Sequence, residues 1–129
     1  VGCLDGLTGQ QMRLRYPNFA ERWTQNAATA RMPGGESLQE VQDRAWPVIV
    51  ELMSNHPDHT VVAVTHNFTI QSILCKLLGM TLHNSRRLRL AVGSIPRLDL
   101  SSTQMELVSL NETWHLQTNL TNYDAGQKS

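Results

Sequence analysis

The feature that most constrains the fold is an apolar run that ends abruptly at a histidine. Residues 60–65 read Thr-Val-Val-Ala-Val-Thr, without the apolar and polar alternation of a strand that has one side in water. Such a run predicts a strand covered on both faces, as in a parallel sheet. His66 follows it, and from Asn67 apolar residues recur at helical spacing until Gly79. A buried strand that leads directly into a helix predicts an α/β fold.

The remaining chain shows further helix and strand signals. Helices are predicted to start after Thr8 and after Ser37, because each is followed three residues later by Gln or Glu, the pattern of a capping box. Pro17 suits the first turn of another helix. The segments at 95–100 and 105–110 are typical of strands, and a Ser/Thr turn joins them.

The charge balance narrows the classes of partner. Lysine plus arginine number 11 and aspartate plus glutamate number 11, so neither nucleic acid nor an anionic membrane is an expected partner. Cys3 and Cys75 lack the spacing of metal ligands, and we expect no metal and no cofactor. Without a secretory or membrane-spanning pattern, the cytoplasm is the expected location. The length of 129 residues suits one domain or part of one, and the polar stretch at 121–129 predicts a disordered tail.

His66 is the candidate functional residue. It stands where the predicted strand ends and a helix begins, and the free amides at a helix N-terminus attract anions. In open α/β sheets ligands bind beyond the carboxyl ends of the strands, which is where this histidine is predicted to lie. On position alone, a histidine that only forms a hydrogen bond at the end of a strand is an equal alternative.

Four motifs then follow one another in a specific order. They are Gly-Leu-Thr-Gly at 6–9, Pro-Gly-Gly-Glu-Ser-Leu at 33–38, Thr-His at 65–66 and Asn-Glu-Thr-Trp-His-Leu at 111–116. In this order and spacing the chain resembles histidine phosphatases of the phosphoglycerate mutase-like kind. The resemblance implies a mostly parallel sheet flanked by helices, small phosphorylated substrates, and phosphoryl transfer through a phosphohistidine.

Few active-site residues carry over from that family. The resemblance implies that His66 is the second, catalytic histidine and that it binds phosphoryl oxygens together with the backbone amide of Asn67. The side chain of Asn67 is also a candidate cap for the helix. Glu36 is a candidate substrate contact, although a role in the loop and cap is favoured for residues 34–37. Arg86 and its arginine neighbours at 87 and 89 are candidates either for an anionic substrate or for a solvated basic face.

The sequence lacks the family's Arg-His-Gly motif, which bears the nucleophile on the first strand, and it lacks the usual catalytic acid. Residues 1–129 are therefore predicted to be the C-terminal portion of a single histidine phosphatase domain that lacks the N-terminal strand. Without that N-terminal segment, this portion is predicted to be inactive. An exposed sheet edge beside residues 60–65 is the expected place of association. Mutase and phosphatase both remain open. The alternatives are a noncatalytic phosphate-binding or interaction domain of the same fold, and an unrelated α/β module in which His66 is structural.

Overall fold

The computed structural model describes residues 2–101 and 103–116. Helices dominate the part up to Leu88 and a β-hairpin dominates the part from Arg89, and these two parts are separate units. The first unit contains helices α1 (Gly9–Arg15), α2 (Pro17–Gln25), α3 (Leu38–Asn55) and α4 (Asn67–Leu77), with short 3-10 helices at Gly2–Leu4 and Leu82–Arg87. The second contains strands β1 (Ile95–Leu100) and β2 (Met105–Glu112) and a 3-10 helix at Trp114–Leu116.

Both predicted capping boxes are confirmed. The amide of Gln11 donates to the Thr8 hydroxyl over 3.2 Å, and the Gln11 side chain accepts from the Thr8 amide over 2.8 Å. At α3 the Ser37 hydroxyl accepts from the Glu40 amide over 3.2 Å, while Glu40 accepts from the Ser37 amide over 2.8 Å. Pro17 is the first residue of α2, as predicted. These contacts satisfy amides that a helix start leaves free.

The core of the first unit lies where α3 packs on α4. Leu38 at the start of α3 and Leu74 on α4 have 0% and 1% of their surface exposed. A buried polar contact joins the two helices, because the Gln42 amide group donates to the Ser72 carbonyl oxygen over 2.8 Å. This contact satisfies the Gln42 side chain, which burial would otherwise penalise. The packing of α3 on α4 therefore fixes the position of α4 within the first unit.

The loop at 33–35 contacts the beginning of the chain. The Cys3 amide donates to the Pro33 carbonyl oxygen over 2.8 Å. Gly2 has a φ of +56°, and a Cβ atom there would lie 2.3 Å from the same oxygen. A side chain at residue 2 would therefore clash with backbone as well as strain its own backbone. Close backbone contact with Gly2 and Cys3 thus fixes the position of the Pro-Gly-Gly motif.

The second unit confirms the predicted hairpin. Strands β1 and β2 pair in the antiparallel sense, with Leu98 opposite Leu107 and Leu100 opposite Met105. The Ser101 amide donates to the Gln104 carbonyl oxygen over 2.7 Å and closes the turn. Burial alternates along both strands, which is typical of a sheet with one face in water.

The strand predicted over residues 60–65 is not formed in the structure, and that prediction is corrected. These residues have no strand hydrogen bonds, and Val62 and Val64 are 83% and 93% exposed. The reason is that a strand exists only through bonds to a neighbouring strand, and the described residues supply none beside this segment. The sheet among the described residues is the β1 and β2 hairpin, so the mostly parallel sheet and the missing N-terminal strand stay predictions.

Two other predictions concern the whole chain. The tail predicted to be disordered, at 121–129, lies outside the described residues. Among the helices that the structure describes, none is both long enough and apolar enough to cross a bilayer.

Candidate functional site

His66 occupies the N-cap of α4. Its backbone is extended (φ −93°, ψ 156°), and its carbonyl oxygen accepts the Ile70 amide over 3.1 Å, the first bond of the helix. The side chain is exposed and makes no capping hydrogen bond. The imidazole therefore stands in solvent at the head of the helix, available to a ligand.

The first turn of α4 carries free backbone donors. The amides of Asn67, Phe68 and Thr69 precede the first intrahelical bond, and no side chain in the described part of the chain caps them. Asn67 is the first helical residue and not the cap, so the prediction that its side chain caps the helix is wrong. Only a side chain placed before the helix can turn back to these amides, and His66 has that place. Aligned peptide dipoles add a partial positive charge here, which favours a bound anion.

The rest of α4 is held firmly in the first unit. The Gln71 side chain donates to the Leu88 carbonyl oxygen over 2.7 Å, and the Ser72 hydroxyl donates to the Phe68 carbonyl oxygen over 2.7 Å. Leu74 and Cys75 are buried on the inner face. The exposed N-terminus thus extends from a fixed helix, so its amides keep their direction before a ligand arrives.

An aromatic cluster packs against the first turn of α4. The Phe68 ring packs edge-on against Trp23 with centroids 5.8 Å apart, and Trp23 lies 5.5 Å from Phe19. The Arg86 guanidinium lies 5.5 Å from the centre of the Trp23 ring and donates to the Trp23 carbonyl oxygen over 3.1 Å. Arg86, a sequence candidate for an anionic substrate, is therefore engaged inside the unit. No local pattern in the sequence pairs residues so far apart.

Glu36 is bound by an arginine of α3. Its Oε1 lies 2.7 Å from Arg44 Nε and its Oε2 lies 3.0 Å from Arg44 Nη2, a two-pronged ion pair. Hydrogen bonding by Arg44 lowers the pKa of the Glu36 carboxyl below its ordinary value. This ion pair was not predicted from the sequence, although an acid in the loop and a base two turns into the helix are present there. A substrate contact by Glu36 stays a prediction.

A cavity of about 300 Å³ lies beside Phe68. One wall is the loop at 4–9, and the other is formed by side chains of the first unit's helices and by Met32. Its aromatic and aliphatic lining consists of Leu4, Leu7, Met12, Phe19, Trp23, Met32 and Phe68. Sequence analysis did not predict this cavity, because it arises where distant segments meet.

The other histidines lie apart from this arrangement in sequence and environment. His56 ends α3, and His59 Nδ1 lies 2.6 Å from the Pro57 carbonyl oxygen. His83 is exposed in the 3-10 helix after α4. His115 belongs to the second unit, where its Nε2 lies 2.9 Å from the Gly93 carbonyl oxygen. This contact joins the 3-10 helix at Trp114–Leu116 to the turn before β1.

Comparison with known sequences connects these features to a family. The sequence model of the histidine phosphatase superfamily (branch 1) matches residues 1–113. Phosphoserine phosphatase 1 of Hydrogenobacter thermophilus is 27% identical over 115 residues, covering 89% of this chain and 54% of that protein. A probable phosphoglycerate mutase, GpmB, of Salmonella paratyphi B is 32% identical over 74 residues, covering 57% of this chain and 34% of that protein. The chain thus spans about half or less of these relatives.

Solved structures share the fold. YhfR of Bacillus stearothermophilus superposes with a TM-score of 0.77 at 18% identity, over 90% of this chain and 58% of that one. A mycobacterial glucosyl-3-phosphoglycerate phosphatase, solved in complex with VO3, superposes with a TM-score of 0.69 at 27% identity. That match covers 87% of this chain and 59% of the other.

Proposed function

Because the chain belongs to the histidine phosphatase superfamily (branch 1), we propose that it supplies the second active-site histidine, His66, to an enzyme that transfers phosphoryl groups from small phosphate esters. The relatives named above are phosphatases and a probable mutase. These names indicate phosphate esters as the class of substrate. Because they include both phosphatases and a probable mutase, the acceptor of the phosphoryl group here is either water or a second hydroxyl.

One observation carries the proposal. His66 is an exposed N-cap residue whose side chain forms no capping hydrogen bond, so the first amides of its helix are free. The chain also belongs to a family of phosphatases. The amides of Asn67 and Phe68 are donors for two phosphoryl oxygens, and the protonated imidazole of His66 is a third donor with positive charge. These donors stabilise the charge that develops on the oxygens during transfer, and they are oriented before the substrate binds.

The covalent step needs a nucleophilic histidine in addition to His66. In the proposed reaction, a nucleophilic nitrogen bonds to phosphorus while the bond from phosphorus to the ester oxygen breaks, and a proton goes to the departing oxygen. Water then takes the phosphoryl group from that nitrogen, or a hydroxyl does in a mutase. Residues 1–129 contain no Arg-His-Gly motif, so the proposal assigns the nucleophile to residues outside this chain.

The exposed run at 60–65 is a second feature that concerns residues outside residues 1–129. Val62 and Val64 are almost fully exposed, and the phosphoserine phosphatase of Hydrogenobacter thermophilus is about twice as long as the region that this chain matches. We infer that these residues pair with a strand of the same domain from outside residues 1–129, because an unpaired apolar segment recruits a partner. Pairing would cover both valines and hold His66 at the end of a formed strand.

Imidazole signals in NMR spectra test the phosphate site. In the intact protein that contains these residues, inorganic phosphate or vanadate at millimolar concentration is expected to shift the His66 signal and leave that of exposed His83 in place. The His66→Ala variant should lose at least about a hundredfold in kcat, the scale for removing a charge-stabilising donor. The variant His83→Gln is the matched control and should retain full activity. An unmoved His66 signal would refute the assignment.

A noncatalytic phosphate-binding domain of the same fold is the second candidate. The absence of Arg-His-Gly within residues 1–129 favours it, because a site with donors and no nucleophile binds phosphate without transferring it. Trapping the intact protein with a labelled ester separates the two candidates. The enzyme forms an acid-labile phosphohistidine, whereas the binding domain shows the same His66 shift and no label.

A further inference from the structure

The cavity beside Phe68 has no role in the phosphate site itself. We propose that this cavity binds the alcohol portion of the ester and that it selects an apolar, uncharged group, such as an aryl or alkyl chain. The inference rests on the proposed function, because it takes the N-terminus of α4 as the place of the phosphoryl group.

Phe68 connects the two places. It is the second residue of α4 and stands two positions after His66. Its amide is one of the free donors of the first turn, and the same residue lines the cavity. A phosphoryl group bound at these amides and a group held in the cavity would therefore contact the same residue, as the two parts of one small ester would.

The lining selects against charge. Among the described residues, Asp5 is the one ionisable residue that lines the cavity, and no lysine, arginine or histidine of this set lies there to neutralise a substrate carboxylate. A carboxylate in the cavity would meet the like charge of Asp5 and would lose water without gaining a partner. The Thr8 hydroxyl already accepts the Gln11 amide in the capping box. The apolar surface left for a ligand is that of Leu4, Leu7, Met12, Phe19, Trp23, Met32 and Phe68.

Size and rigidity also suit an aromatic or short aliphatic group. The cavity volume is about 300 Å³, the lower end of ligand pockets, and an engineered cavity of about 150 Å³ in another protein binds benzene. Trp23 is held by rings on two sides and by Arg86, with centroid separations of 5.5 and 5.8 Å to Phe19 and Phe68. A wall that is fixed before binding loses little freedom when a ligand enters.

Substrate preference in the intact protein tests the inference. The values of kcat/KM for phenyl phosphate and for O-phosphoserine are compared, and a preference of about tenfold or more for the phenyl ester is expected. Met12→Gln places an amide in the cavity and should reduce that preference about tenfold. Met53→Gln is the matched control, because Met53 is also half-buried on a helix and does not line the cavity. Met12→Leu, which keeps the wall apolar, should retain the preference.

Circular dichroism spectra of the variants establish that each is folded, and Leu7→Gln provides a second change in the cavity wall if Met12→Gln does not fold. Equal use of the two esters would overturn the inference, and so would equal effects of Met12→Gln and Met53→Gln. Failure of the proposed function has a different signature, because inorganic phosphate would then leave the His66 imidazole signal unmoved.

Discussion

The ion pair between Glu36 and Arg44 allows a sharp test of what the Pro-Gly-Gly-Glu-Ser motif does. Two parallel hydrogen bonds of 2.7 and 3.0 Å join the carboxylate to the guanidinium, the geometry in which such pairs are strongest. The side chains are 39% and 58% exposed, so water screens much of the attraction. Exposed pairs contribute about 0.2 to 1 kcal/mol, and the paired geometry places this one in the upper half of that range.

Glu36→Gln, Arg44→Gln and the double variant form a thermodynamic cycle. We expect a coupling free energy of about 0.5 to 1 kcal/mol, because either single change removes the pair and the second change then costs little more. For a unit of this size the corresponding decrease in Tm is about 2 to 8 °C. Glu51→Gln on α3 is the control, since no described residue forms an ion pair with exposed Glu51, and it should leave Tm nearly unchanged.

Acid should abolish this coupling. Arg44 lowers the pKa of the Glu36 carboxyl in the folded chain, so the stabilisation is complete above the unfolded pKa of about 4.3. It is lost as pH falls through the lower folded pKa, because the carboxyl then takes a proton in both states. The cycle is therefore measured by urea unfolding at pH 7 and again at successively lower pH.

Activity in the same variants decides the role of Glu36. If the motif is structural, Glu36→Gln and Arg44→Gln change kcat/KM of the intact protein equally, by less than about threefold. A tenfold loss in Glu36→Gln with full activity in Arg44→Gln would refute this reasoning and assign Glu36 to substrate binding. A coupling free energy near zero at pH 7 would equally refute the ion pair as a stabilising contact.

Four further predictions test other parts of the structure. Leu38→Ala should cost about 2 to 5 kcal/mol in urea unfolding, because it empties a fully buried position. Gly34→Ala should lower the free energy of unfolding by about 1 to 2 kcal/mol, since Gly34 has a φ of +66° and a Cβ atom there would lie 3.0 Å from the Cys3 sulfur. Gly9→Ala, in the first turn of α1, is the control and should leave the free energy of unfolding unchanged. Equal losses of stability in the two variants would contradict the explanation. Residues 1–129 alone should not hydrolyse an aryl phosphate, and turnover that disappears in His66→Ala would show a complete site in this chain. Amides 61–64 should exchange with solvent rapidly in this chain and slowly in the intact protein, as measured by hydrogen exchange, and equal rates would exclude strand pairing there.

Local interactions were readable from the sequence. The helix starts at Thr8 and Ser37 depend on side chains that reach amides three residues away, so the pattern and the structure agree. The hairpin of β1 and β2 joins segments separated by a short turn, so their pairing depends on residues close together in the sequence. The start of α4 at Asn67 was also predicted, because helical periodicity begins at a definite residue.

Interactions between distant segments were decided only by the tertiary structure. The apolar run at 60–65 has the composition of a buried strand, and its exposure shows that composition cannot form a strand without a neighbour. Arg86 and Trp23 are 63 residues apart, and their contact exists because α2 and the segment after α4 pack together. The cavity beside Phe68 likewise arises where a loop and several helices meet. Periodicity and capping describe what a residue does to its neighbours in the chain, whereas these contacts depend on the folding of the whole unit.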